Sequence, residues 1–171
     1  MDKNSMGRTK KLVFMALLTA IALTIFVIEN QIPAPVPIPG VKLGLSNIVT
    51  LVAMVLLGRK EAGAILFVRI LMGTMFAGSP STLLFSAAGG TLAYLVMCCT
   101  VGLFSEKQLW IVSALAALAH NAGQLLACAL VVKTPGIIVY APILAASGVI
   151  TGVFTGLAAM FLIRALRKAR I

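Results

Sequence analysis

The chain has 171 residues, of which 61% are hydrophobic and 11% are charged, and its formal net charge is +10. Soluble domains average about 45–50% apolar and about 25% charged residues. The mean hydropathy of +1.10 therefore excludes an ordinary soluble domain and predicts an integral membrane protein. A span takes about 17–25 apolar residues, which leaves room for about six spans in one membrane domain, 1–171, and for no soluble catalytic domain.

Six apolar segments, separated by polar or turn-forming breaks, predict an all-α membrane protein with six transmembrane helices. The second and third segments are short. Lys133 and the Pro135-Gly136 turn separate the last two segments, which otherwise read as one hydrophobic stretch. The predicted spans are Leu12–Ile28, Leu43–Leu57, Ala62–Gly78, Thr82–Phe104, Leu109–Val132 and Gly136–Ile163.

The positive charges lie mainly at one end of these segments, and the cytoplasmic flanks of membrane proteins carry an excess of Lys and Arg. This predicts a cytoplasmic basic N-terminus, 1–11, a cytoplasmic basic tail, 164–171, and an external loop, 29–44. Only Lys42 and Lys133 fall on the opposite side. No basic face lies outside the flanks, so nucleic-acid binding is not predicted.

The external loop contains four prolines that alternate with Ala, Val and Ile. Proline fixes φ and removes a backbone donor, so this stretch is predicted to be stiff and extended. The polar residues Lys42, Ser46 and Asn47 follow it. We therefore predict a lid or gate, including Lys42, over a site on the outer side. The four prolines are Pro33, Pro35, Pro37 and Pro39.

The sequence lacks the motifs of several enzyme classes. It has no GxxxxGK[ST] motif, so it does not bind ATP through a P-loop. Its acidic residues are interpreted as scattered over termini and loops, which leaves no carboxylate cluster for the magnesium of prenyl transfer. No acid is expected at the depth of the one His, so no catalytic triad forms, and no Cys/His metal spacing appears. We expect neither an enzyme nor a cofactor or metal site. The acids are Asp2, Glu29, Glu61 and Glu106.

Polar side chains inside a membrane are costly and usually face the bundle interior. Arg69 lies about 12 Å into the third span and His120 about 16 Å into the fifth, at about 1.5 Å per residue. His120 and Gln124 share a helical face, and Asn121 lies close to it. These three side chains are predicted to form one substrate-binding patch with Arg69. With no acid expected nearby, Arg69 is predicted to pair with an anionic ligand. The alternative is a structural network, in which Arg69 bonds backbone carbonyls or reaches the cytoplasmic interface.

Further polar side chains are predicted toward the outer side of the same region. Asn47 follows the external loop and is a candidate ligand contact. Tyr140, Ser79, Ser81 and Ser86 are placed where they could line the same cavity. For each of these four, the alternative is a helix cap or a packing group.

Small residues at four-residue spacing let helices approach closely in lipid. Gly148, Gly152 and Gly156 form two successive GxxxG steps on the last span, and internal packing is the preferred interpretation. Ala16 and Ala20 form an AxxxA step on the first span.

Several of these features together resemble a known family. They are the run IPAPVPIPGVKLGLSNIVTL at 32–51, the Arg59-Lys60 loop, the arginine of the third span and HNAGQL at His120–Leu125. They resemble the Gx transporter family, whose members are often labelled heptaprenyl diphosphate synthase component I. That family is similar to the substrate-binding S components of energy-coupling factor (ECF) vitamin transporters. The resemblance covers nearly the whole chain from about Leu12.

The resemblance implies an S-component-like bundle in the bacterial cell membrane. It implies high-affinity binding of a small micronutrient or anionic metabolite from outside, with the first external loop, Gln31–Leu43, covering the site. It further implies docking on a membrane T component through Ala16 and Ala20, and two ATPase partner subunits that hydrolyse the ATP.

Two other functions stay open from the sequence. One is a non-catalytic membrane accessory subunit of isoprenoid or quinone metabolism, which would bind a soluble enzyme through the basic flanks. The other is a gradient-driven transporter acting alone. The lack of acids within the spans argues against the second, although His120 could relay a proton.

Overall fold

The computed structural model describes residues 7–32, 42–77, 80–133 and 135–169. Within these residues the chain forms six α-helices and two short 3₁₀ segments, with no strand, which confirms the predicted all-α class. The four prolines of the external loop and Ser79 lie outside the described residues. The helices are α1 Arg8–Glu29, α2 Asn47–Leu56, α3 Arg59–Ala77, α4 Pro80–Thr100, α5 Leu109–Val132 and α6 Ala141–Lys168, and the 3₁₀ segments are Glu106–Gln108 and Pro135–Tyr140.

The short helix α2 lies at the centre of the bundle. Nearly all of its residues are buried, and it packs mainly against α1, α3 and α6. At about 1.5 Å per residue its ten residues reach about 15 Å, which is half of the roughly 30 Å hydrocarbon core of a bilayer. The predicted second span, Leu43–Leu57, is therefore wrong in its extent, because the chain becomes helical only at Asn47.

Four helices, α1, α4, α5 and α6, are long and apolar enough to cross a membrane. α3 has nearly the same length, but Arg59, Lys60, Glu61 and Arg69 lower its hydropathy. The six helices are thus confirmed as helices. A crossing by each of the six, and the cytoplasmic position of both termini, stay predictions.

The bundle has an apolar exterior and a partly polar interior. Phe76, Leu130 and Ile150 expose most of their side chains, whereas Arg69 and His120 are each only 3% exposed. In soluble proteins, charged side chains lie mostly at the surface and are almost never fully buried unless they are paired. The distribution fits a bundle surrounded by lipid, in which polar side chains turn inward.

α5 packs closely on both α6 and α4. A Cβ atom added at Gly152 would lie 2.6 Å from Ala114 Cα, and one at Gly156 would lie 2.5 Å from Trp110 Cα. The α5 and α6 backbones therefore touch, which confirms the packing role predicted for the GxxxG steps. A Cβ atom at Gly123 would likewise meet the α4 backbone at 2.7 Å. These contacts fix the orientation of α5 and hence the direction of its polar side chains.

Candidate functional site

The chain enters α2 through a non-helical segment, residues 42–46, that is wrapped inside the bundle. Gly44 in this segment has φ of +77°, and a Cβ atom there would lie 2.9 Å from His120 Cδ2 and 3.0 Å from Asn47 Nδ2. Glycine is the residue that adopts such a φ without a steric cost. Irregular backbone at membrane depth is tolerated where protein surrounds it and its polar groups are bonded. Gly44 therefore lets this segment pass directly over the α5 side chains.

Glu29, the last residue of α1, anchors the segment. Its side chain is 3% exposed. Its Oε1 atom accepts the backbone N–H groups of Gly44 and of Leu45, the latter at 3.2 Å. The expectation that every acid lies at a terminus or in a loop, away from Arg69, is wrong, because Glu29 lies in the interior and interacts electrostatically with Arg69 and Lys42.

Two cations share the space next to Glu29. Arg69 on α3 donates from Nη1 to the Ser46 hydroxyl at 2.6 Å. Lys42 Nζ lies 3.6 Å from the centroid of the Phe26 ring, and Arg69 Cζ lies 5.9 Å from the same centroid. A cation over an aromatic face is stabilised by the ring quadrupole. Phe26 on α1 therefore helps to hold both positive groups on one side of α1.

α5 contributes His120 and Gln124, which face this region as their i, i+4 spacing predicts. Gln124 Oε1 accepts the backbone N–H of Lys42 at 3.1 Å. Gly89 on α4 makes room for both side chains, since a Cβ atom there would lie 2.9 Å from His120 Cε1 and from Gln124 Cγ. Residues 42–46 are thus held from α1 by Glu29, from α3 by Arg69 and from α5 by Gln124.

We call six of these residues the buried polar cluster. Two cations and one carboxylate leave it with one formal positive charge when His120 is neutral. In the described part of the chain, Lys42 Nζ, Asn47 Nδ2, and Nε and Nη2 of Arg69 have no hydrogen-bond partner. Buried polar groups in proteins are nearly always bonded, so these donors need partners that the described residues do not supply. The cluster consists of Glu29, Lys42, Asn47, Arg69, His120 and Gln124.

A model of the family described as heptaprenyl diphosphate synthase component I matches residues 18–162 of the chain. The chain belongs to this family. A search of curated proteins and a search of solved structures find no match. The matched range contains the whole buried polar cluster and all of α2, α3, α4 and α5.

In this member of the heptaprenyl diphosphate synthase component I family, two predicted site residues lie elsewhere. Asn121 donates from Nδ2 to the Leu144 carbonyl on α6 at 2.7 Å and lies against Gly148. Tyr140 ends the second 3₁₀ segment and packs against a small apolar group that includes Cys128 and Leu144. Within the described residues both side chains contact the α5–α6 side of the bundle rather than the cluster. Ser86 is buried on α4 and Ser81 is partly exposed.

Ala16 and Ala20 both lie on the exposed face of α1. They line an apolar groove of about 420 Å³ between α1 and α3. Ala16 falls just before the range that the family model matches, and Ala20 falls inside it. The groove is separate from the buried polar cluster. Its other lining residues are Met15, Thr19, Leu23, Ala64, Ile65, Val68 and Met72.

Among the described residues, no three His, Cys, Asp or Glu side chains come together.

Proposed function

We propose that this protein is the substrate-binding S subunit of an ECF-type importer in the bacterial cell membrane. The observation that carries the proposal is the buried polar cluster, in which two cations and several unpartnered donors lie at and around residues 42–46. Membership in the heptaprenyl diphosphate synthase component I family and the resemblance to S components support it. The subunit itself performs no chemistry; the two ATPase partners hydrolyse ATP.

The cluster supplies what an anionic or acceptor-rich small molecule needs inside a membrane protein. A charge in a span is costly unless a partner neutralises it. Glu29 neutralises one of the two cations, and an anionic ligand neutralises the other. The bound molecule therefore lowers the electrostatic cost of keeping Lys42 and Arg69 inside the bundle.

The end of the external loop provides a gate in this proposal. Lys42 is bonded to Gln124 through its backbone, and Gly44 is bonded to Glu29 and rests on His120. Movement of the loop away from α5 breaks these contacts together and opens the cluster to the outer side.

The groove beside Ala16 and Ala20 is the proposed docking surface for the T component. Its small side chains allow a partner helix to approach α1 closely. Ala20→Trp fills the groove and is expected to reduce recovery of the T component by at least about tenfold, because helix packing in lipid depends on close contact. Co-purification from the native membrane measures the effect. Ala146→Trp, at an exposed alanine of α6, serves as the control and retains normal recovery. Equal recovery in both variants contradicts the docking surface.

Affinity purification in mild detergent, with mass spectrometry of proteins and small molecules, tests the whole proposal. Recovery of a T component and two ATPases is the expected result. Recovery of a prenyl synthase or a redox enzyme without any ATPase overturns the importer.

One observation favours the second candidate, an accessory subunit of isoprenoid or quinone metabolism. A cavity of about 580 Å³ at the basic end of the bundle is lined by Arg59, Lys60 and Arg167 together with Glu61 and Glu106. The family description also names a component of a prenyl synthase. Loss of enzyme capture after removal of the basic tail, with capture unaffected by Ala20→Trp, is the result that supports this candidate.

A further inference from the structure

One edge of the Arg69 guanidinium is left for a ligand. Nη1 is bonded to Ser46, while Nε and Nη2 are buried and unpartnered within the described residues. The Nε–H and Nη2–H groups point the same way from the planar guanidinium. This edge therefore presents two parallel donors, which is the geometry that a carboxylate or a phosphate accepts in a bidentate pair.

Most of the other unpartnered groups of the buried polar cluster are also donors; the exception is His120, whose two ring nitrogens are unpartnered and, in the neutral form, comprise one donor and one acceptor. Lys42 Nζ and Asn47 Nδ2 are buried and unbonded, and ammonium and amide N–H groups donate without accepting. Lys42 and Arg69 approach the same Phe26 ring. Asn47 begins α2 directly after Ser46, the residue that Arg69 bonds. Four donor atoms from three elements of the buried polar cluster are therefore without a partner in the described residues.

The net charge of the cluster favours an acceptor group with one negative charge over a group with two. Lys42, Arg69 and Glu29 sum to one positive charge, so a group with one negative charge makes the buried site neutral. A phosphate monoester carries about −1.5 to −2 charge near pH 7 and leaves the site negative beside Glu29. Uncompensated charge is strongly unfavourable at a buried position.

We propose that the buried polar cluster binds the carboxylate group of a monoanionic small molecule, with both carboxylate oxygens on the Nε–Nη2 edge of Arg69. Lys42 Nζ and Asn47 Nδ2 donate to the outer lone pairs of the same group. That this molecule is the imported substrate rests on the proposed function, whereas binding itself is a property of the isolated protein.

Acetate is the smallest probe of this chemistry. The protein in lipid nanodiscs is heated with acetate, methyl phosphate or chloride at equal ionic strength, and unfolding is followed by helix circular dichroism. A ligand that binds only the native state raises the unfolding temperature. Acetate is expected to raise it by several degrees over chloride, and methyl phosphate by clearly less. An equal or larger rise with methyl phosphate overturns the carboxylate assignment, and no rise with either ion overturns the site.

Matched variants separate this site from a general effect of the salts. Arg69→Gln is expected to abolish the acetate response, whereas Arg59→Gln removes the same charge from an exposed position of α3 and keeps the response. If Arg69→Gln folds poorly, Lys42→Met supplies the test, since it changes a residue outside the helices and should weaken acetate binding at least about tenfold. A full response in both site variants contradicts the proposal. A normal acetate response without any T component in the purified complex contradicts the importer and leaves the carboxylate site standing.

The pH dependence of the acetate response gives a second test. Burial, opposed by Glu29 and assisted by Arg69, lowers the pKa of Lys42 to about 8. Lys42 faces Glu29 from α1, Arg69 from α3 and His120 from α5. Because the charged lysine is the form that binds an anion, acetate affinity should fall about tenfold between about pH 7 and about pH 9. Lys42→Arg, which stays charged, should remove this fall. An unchanged fall in Lys42→Arg shows that Lys42 does not contact the carboxylate.

Discussion

Replacement of Arg69 with alanine is expected to abolish ligand binding while the protein still inserts and folds. The change removes the bidentate edge and leaves Lys42 and Glu29 to neutralise each other. Truncation of one partner in a buried, hydrogen-bonded charge pair costs about 2–5 kcal/mol, which corresponds to a loss of affinity of at least about 30-fold. Insertion should survive, because removal of a charge from a span makes the span more favourable in lipid.

The measurement is the amount of small molecule retained per mole of purified protein, determined by mass spectrometry, with helix circular dichroism as the check on folding. Arg59→Ala is the matched control, since Arg59 is exposed at the start of the same helix. It should retain as much ligand as the unaltered protein. Normal retention in Arg69→Ala refutes the assignment of Arg69 to the site and favours the structural network as its role.

The second large effect is expected at Glu29. Glu29→Ala removes the acceptor for the N–H groups of Gly44 and Leu45 and leaves two buried cations without a carboxylate. An unsatisfied buried donor costs about 1–3 kcal/mol of unfolding free energy, and uncompensated buried charge adds to that cost. Residues 42–46 should therefore lose their anchoring, and the protein should unfold at a clearly lower temperature.

Glu29→Gln separates two roles of this side chain, as a hydrogen-bond acceptor for backbone N–H groups and as a negative charge beside two cations. Its amide oxygen still accepts a backbone N–H, so the loss of stability should be smaller than in Glu29→Ala. The variant cluster carries a second positive charge, so its affinity for an anion should increase. Glu106→Ala is the control, because Glu106 pairs with Arg167 where both side chains are nearly half exposed, and such pairs contribute about 0.2–1 kcal/mol. If Glu29→Ala unfolds at the same temperature as Glu106→Ala, the anchoring role is wrong.

The grouping of His120 and Gln124 could be predicted because it depends on helical periodicity alone. Residues four apart on one helix face the same way whatever surrounds them. The same reasoning placed Asn121 in the patch, because it lies three residues from Gln124, but its side chain turns toward α6 instead. Gly148 on α6 decides the matter, because the absence of a side chain there lets the Asn121 amide reach the Leu144 carbonyl.

The prediction that Glu29 lies in a loop failed for a different reason. Glu29 is followed by a polar pair and a proline-rich stretch, which is the pattern of a loop, and the sequence gives no sign that the chain turns back into the bundle. The return depends on Gly44, on Ser46 bonding to Arg69, and on the shortness of α2. A glycine in an apolar segment is too common a feature to predict such a return.

The sequence by itself determined the all-α class, the positions of most helices, the shared face of His120 and Gln124 on α5, and the close packing of the Gly152 and Gly156 steps. Composition and local periodicity suffice for these, because each depends on residues within a few turns of one another. Only the tertiary structure decided that Glu29, Lys42 and Arg69 interact electrostatically. These residues lie 13 to 40 positions apart on separate elements, and the burial that makes their charges interact exists only when α1, α2, α3 and α5 are packed together.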